Sequence, residues 1–229
     1  DEAADSGLPT RQLSWHYRSR DESLIAFSNK NYYRNRLVTF PSPQTATSAV
    51  TFHKVNGEYL RGADRTNPIE AKEIVAFVFS KLEEWKSWPI ADRLSIGVIT
   101  FNVQQQELIL DNMEKELADR PDLEYFFSSE RVEPVIVKNL ENVQGDERDV
   151  MVFSITFGRD KAGKFYRDFG PLNREGGEKR LNVAITRAKS EFHVFSSITA
   201  SDIDVKGIKH QGVRDLKNYL DYAERGQLM

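Results

Sequence analysis

LSIGVITFNVQQQELILDNM, residues 94–113, is the stretch on which the fold turns. Leu94 to Thr100 is a short apolar run rich in β-branched side chains, which suits a buried strand. Asn102 follows with Gln105 three positions on, the spacing that opens a helix, and Leu108, Ile109 and Met113 then recur at helical intervals. A strand leading through a capped turn into a helix is half of a parallel crossover unit.

Reading outward, the same alternation repeats. Upstream, Ser19 and Glu22 stand as a capping box for a helix to about Tyr33, which places Arg18 just before a helix start. Val50 to Val55 reads as a strand. Asn67-Pro-Ile-Glu70 then combines a cap, a first-turn proline and a box glutamate ahead of Ile74, Val75, Val78, Leu82 and Trp85 at helical spacing. Downstream, Val135 to Leu140 and Val150 to Thr156 are β-rich runs around the polar turn 144–148. A glycine-containing loop covers 158–177, a helix is expected over 178–189, a strand over 191–196, and an amphipathic helix over 213–223. The fold class expected is α/β, a mostly parallel sheet with helices on both faces. In such sheets function gathers at the carboxyl ends of the strands. That rule points to the turn at 100–102, the turn at 142–148 and the glycine-rich loop.

Composition limits the chemistry. The 229 residues carry 32 Lys+Arg against 35 Asp+Glu, so a nucleic-acid surface must be local rather than a whole-molecule field. Cysteine is absent, which removes disulfides, thiolate metal sites and thiol nucleophiles together. The four histidines, His16, His53, His193 and His210, are far apart in sequence, and no metal site is expected from them. No apolar run reaches the roughly 18 residues of a membrane helix, so a cytoplasmic protein without membrane contact is expected. The polar opening without methionine suggests a linker over 1–12 from an upstream domain.

On the helix expected over 178–189, Leu181, Ala184, Ile185 and Ala188 would form the buried stripe, with Arg180 and Arg187 two turns apart along its border and able to reach one small region. Arginine suits phosphate because its planar fork presents paired donors with fixed charge. From spacing alone, two such arginines are usually surface ion-pair formers.

The string Arg180-Leu-Asn-Val-Ala-Ile-Thr-Arg-Ala-Lys189 resembles motif VI of superfamily 1 helicases, in the branch of the nonsense-mediated-decay RNA helicases and related DNA helicases. Asn142-Val-Gln-Gly-Asp-Glu-Arg-Asp149 resembles motif V, and Trp15-His-Tyr-Arg-Ser19 the motif IV region. Ile96-Gly-Val-Ile-Thr-Phe-Asn102 resembles the strand and turn that meet the nucleic-acid backbone in that family. The resemblance implies the second, RecA-like motor domain (P-loop NTPase fold) over 13–199, with a helical extension over 200–229. Arg187 would be the arginine finger on the γ-phosphate of ATP and Arg18 a second phosphate contact. Gly145, Glu147 and Arg180 would face the nucleotide. Thr100, Asn102, Asn139 and Asn142 would meet a single strand, DNA ahead of RNA.

The string Ser19-Arg-Asp21 stands where the family often has Met-His-Pro, and no Gly-x-x-x-x-Gly-Lys-[Ser/Thr] occurs. The phosphate loop and the Mg²⁺ ligands are therefore expected on an N-terminal RecA-like domain of the same polypeptide, and this chain alone should not hydrolyse ATP. Two rival readings stay open: a RecA-like interaction module without catalysis, and a metal-dependent nuclease using Glu141, Asp146 and Glu147. Phe101, Phe126, Phe127, Phe157 and Tyr166 could stack bases but read better as core. Lys161, Lys164, Arg167 and Arg174 form either a strand contact or a solvated loop.

Overall fold

The central strands are those whose sequence carries no polar alternation. β2 (Ile96–Thr100) and β4 (Arg148–Ser154) are buried along their whole length, as strands covered on both faces must be. The computed structural model describes residues 15–39, 48–62 and 64–226; the expected linker over 1–12 lies outside them. With β1 (Val50–Lys54), β3 (Ile136–Asn139) and β5 (Ala188–Ser196) these strands form one sheet in the order β1-β5-β4-β2-β3, every pair parallel. Val98 lies between Val152 on one side and Val137 on the other.

Alternate residues of each strand serve different faces. Ile99, Met151, Phe153, Phe192 and Val194 pack with α1 (Ser23–Tyr32), α4 (Gly177–Ile185) and α5 (Gln211–Arg225). Val98, Val150, Val152 and Phe195 pack with α2 (Pro68–Lys86) and α3 (Val103–Ala118). At the centre of the first layer Phe101 stacks on Phe153 at 5.1 Å and 12°, with Phe192 edge-on to Phe153. Phe101, Phe126 and Phe157 are core residues, Phe127 packs against the second cluster, and Tyr166 is half-buried. The last helix closes over the first layer through Val213, Leu216, Tyr219 and Leu220. Its buried Asp215 accepts from the Tyr32 hydroxyl at 2.8 Å, and its Tyr222 hydroxyl donates to the Ser23 carbonyl at 2.6 Å, which ties α5 to α1. No helix among the described residues is long and apolar enough to cross a membrane.

Two boundaries differ from expectation. α1 begins at Ser23, and the expected capping box of Ser19 and Glu22 is not formed. The Ser19 hydroxyl instead donates to the Ala188 carbonyl, while Asp21 receives both the backbone N–H and the hydroxyl of Ser23. At the other end of the chain, the helix expected to run to Lys189 stops at Ile185, and Ala188 already belongs to β5. The Thr186 hydroxyl turns back onto the Asn182 and Val183 carbonyls, and Ala188 pairs with Arg148, so sheet pairing takes over from the helical ladder. Arg187 consequently sits at the junction of α4 and β5 rather than on the helix.

Candidate functional site

That junction carries the charged cluster. Segment 18–20 runs beside the start of β5: the Ser19 hydroxyl and the Arg20 N–H donate to the Ala188 and Lys189 carbonyls. Arg18 Nε donates to Glu147 Oε2 at 2.6 Å, and its Nη1 to the Thr186 carbonyl at 3.3 Å. Glu147 is delivered by the turn 143–146, in which the Asp146 N–H bonds the Val143 carbonyl and Gly145 takes φ +97°. That conformation favours glycine, since a side chain there would strain the turn. Arg187 donates from Nε to the Val183 carbonyl at 2.7 Å, and its two Nη nitrogens have no hydrogen-bond partner among the described residues.

The electrostatics point one way. The hydrogen bond from Arg18, reinforced by the charges of Arg18, Lys189 and Arg187, holds the Glu147 carboxyl below its ordinary range. Burial, and then the neighbouring Arg18 charge, weaken the hold of Arg187 on its proton. Arg18 and Arg187 both face Glu147, with Asp146 a lesser negative charge on Arg187, and the planar fork of Arg187 presents donors suited to an anion.

Arg180 does not join them. It pairs with Glu141 at 3.2 Å and donates to the Glu175 carbonyl, because α4 ends too early to carry both arginines along one border. Glu141 and Glu147 are thus drawn to different arginines, and the described residues contain no His, Cys, Asp and Glu group able to hold a metal. The cluster also lies at the amino ends of β4 and β5, opposite to where the carboxyl-end rule directs attention. Of the residues expected along a strand, Thr100 is fully buried with its hydroxyl on the Asn102 carbonyl. Asn139 is buried and bonded to Gln106. Asn142 is exposed, accepting from the Asn139 N–H, and Asn102 reaches the surface at the carboxyl end of β2.

Sequence reading missed three groups. Tyr17, beside Arg18, is 84% exposed; its position next to the motif arginine was the available signal. His53 and His193, distant in sequence, meet at 3.0 Å across β1 and β5, with Glu191 beyond His193 at 2.9 Å. Only strand order reveals that pair. Glu70, expected to close a capping box, is fully buried and turned to the sheet: its Oε1 accepts from the Ser154 hydroxyl and the Thr156 N–H, both at 2.6 Å. The Asn67 N–H it would have met is taken by Gln105 Oε1 at 2.8 Å. Thr156 holds φ +67°, a costly conformation for a β-branched residue that the Glu70 bond helps to fix.

Burial dominates the Glu70 carboxyl and raises it to about 8, against the pull of Ser154, Thr156 and Ser197. The folded chain therefore keeps a proton that the unfolded chain releases near its ordinary value of 4.5. Stability should fall as pH rises through that window and level off above it. Urea midpoints from pH 5 to 9 are expected to show this slope, and Glu70→Gln to remove it. An equal slope in the variant would assign it to another group.

The family described as an AAA domain matches residues 2–199. An uncharacterized ATP-dependent helicase of Mycoplasma pneumoniae is 36% identical over 220 residues, and a Mycoplasma genitalium ATP-dependent helicase 33% identical over 216. Each alignment covers 93% of this chain, which spans only 18% of the length of either relative. A solved structure of the C-terminal domain of a possible DNA helicase from Lactobacillus plantarum is similar with a TM-score of 0.43 at 13% identity, over 79% of this chain and 86% of that one.

Proposed function

The chain belongs to the AAA domain family, as a C-terminal domain of superfamily 1 helicases, and from that premise we propose that it is the second motor domain of an ATP-driven single-strand translocase. In this reading it lends Arg187 to an ATP site whose phosphate loop sits on an upstream RecA-like domain. One observation carries it: two guanidiniums and one carboxylate gathered at the amino ends of β4 and β5, with the Arg187 fork unspent.

Phosphoryl transfer spreads negative charge over the oxygens of the transferred group, and a preorganised guanidinium stabilises that charge without reorganising at the moment of reaction. Arg187 meets those oxygens. Arg18, held in place by Glu147 and the Thr186 carbonyl, meets a neighbouring phosphate, so Glu147 acts as a positioning residue. The exposed Tyr17 ring offers the base a face to stack on. A cluster whose Glu147 carboxylate is already bonded to a guanidinium does not fit a divalent cation; the Mg²⁺ that accompanies ATP is assigned to the upstream domain. Because one wall of the pocket is borrowed, closure of the two domains depends on the nucleotide, and hydrolysis releases it.

Arg18→Ala, in the polypeptide joining both domains, is expected to lower kcat for ATP by about 10- to 100-fold, with partial recovery in Arg18→Lys, which keeps the charge but not the fork. Steady-state turnover with saturating single strand measures it. An unchanged rate would leave the cluster structural and favour an interaction module.

A further inference from the structure

At the opposite end of the sheet, past the carboxyl ends of β1, β2 and β4, an open cleft of about 250 Å³ lies between the segments around Tyr59–Arg65 and Phe157–Arg174. We propose that this cleft grips the sugar-phosphate backbone of a single strand through Arg65 and Arg174, a binding site that rests on the motor reading and extends it to residues outside the helicase-like motifs.

Arg65 and Arg174 are the basic side chains that line the cleft; the neighbouring Lys161 does not. Arg159 is bound to Asp202 and Arg167 to Asp204, so their guanidiniums are neutralised on the protein. Arg61 lies 3.8 Å over the Tyr166 ring, with Lys164 at 4.9 Å from the same ring, so both cations are engaged with that aromatic. Arg65 and Arg174 are exposed, line the cleft, and have no ion-pair or side-chain hydrogen-bond partner among the described residues.

The mounting is fixed rather than loose. Asn102 caps α3 by accepting from the Gln105 N–H at 2.8 Å and donates from Nδ2 to the Arg65 carbonyl at 3.0 Å. Arg65 itself sits at φ +52°, held further by its N–H on the Leu60 carbonyl. Asn173, on the other wall, is anchored by donating to the Arg167 carbonyl and accepting from the Phe169 N–H. The turn residue that resembles a backbone contact in helicases thus positions an arginine instead of spending its own side chain outward.

Asp168 also lines the cleft and accepts from the Gly170 N–H. Two guanidiniums and one carboxylate leave a net charge of about +1, matched to one phosphodiester and ill-matched to a triphosphate. With Tyr59 and Phe157, the aromatics that line the cleft, both buried, the grip is on the backbone and indifferent to base identity.

The test is anisotropy of labelled dT12 and rU12 on the folded chain across salt. The Arg65→Ala/Arg174→Ala variant, whose exposed side chains hold nothing else together, should melt like the parent, bind about tenfold more weakly, and lose about 0.7 from the slope of log K against log salt for each phosphate released. Asp168→Asn should bind about threefold more tightly, and ATP should not displace the probe. No binding to either oligonucleotide by the unaltered chain, an unchanged slope in the double variant, or displacement by ATP overturns the site. Failure of the motor reading is read separately, from turnover in Arg187→Ala, whose oligonucleotide affinity should equal the parent's.

Discussion

Arg187→Ala, in the polypeptide proposed to join this chain to a phosphate-loop domain, is expected to lower strand-stimulated ATP turnover by about 10³- to 10⁵-fold while leaving nucleotide binding within a few-fold. The asymmetry follows from geometry. Among the described residues Arg187 is hydrogen-bonded only through Nε, to the Val183 carbonyl, which leaves its fork without a partner there. Arg18 cannot replace it, since Glu147 and the Thr186 carbonyl already fix its guanidinium. Removing Arg187 also relieves its repulsion with Arg18, and the one hydrogen bond lost is worth about 1 kcal/mol, so the fold should survive. Single-turnover rates at saturating ATP, beside equilibrium nucleotide binding, separate the two effects; turnover equal to that of the parent would remove the finger from the mechanism.

Gly177→Ala should produce the largest loss of stability from a single methyl group. A Cβ at Gly177 would lie 2.7 Å from the Leu172 carbonyl oxygen and 2.8 Å from the Leu172 Cα, both backbone atoms with little freedom to yield. Gly212 of α5 presses on the same place, where an added Cβ would meet the Gly177 carbonyl carbon at 2.8 Å. Overpacking usually costs 1–3 kcal/mol, and an obstacle made of main chain puts this case at about 3 kcal/mol. For a chain of this size that is about 6–12 °C in Tm. Circular-dichroism melts should show it, with Gly62→Ala, where no atom lies within 4 Å of the new methyl, as the neutral control. A Tm within about 2 °C of the parent would mean that α4 and α5 have room to separate.

How much of this could be read beforehand depended on whether local chemistry or distant pairing sets each feature. β2 and β4 were readable because strands buried on both faces carry continuous apolar runs. α2 and α3 were readable because Asn67 and Asn102 cap them locally. The end of α4 was not. Arg187, Ala188 and Lys189 are all good helix formers, so propensity extends the helix through them, whereas pairing with Arg148, 40 residues away in sequence, draws Ala188 into β5. The motif strings placed Arg18, Glu147 and Arg187 together, and the structure brings those three residues to one place. The same strings said nothing of Arg65, whose setting depends on a hydrogen bond from Asn102 across 37 residues. Glu70 was misassigned for a related reason: its spacing from Asn67 suits a box, but the competing acceptor, Gln105, comes from another helix.

α4 is a rod of nine residues, about 13 Å long, packed along its length against α5 and the sheet. Its first residue follows Arg174 of the cleft by three positions, and its last ends beside Arg187. A body this short and this tightly lodged cannot bend between its tips, so a pull exerted on one must be answered at the other. In the proposed motor, α4 would carry movement between fuel and track as one stiff lever rather than through a relay of side chains.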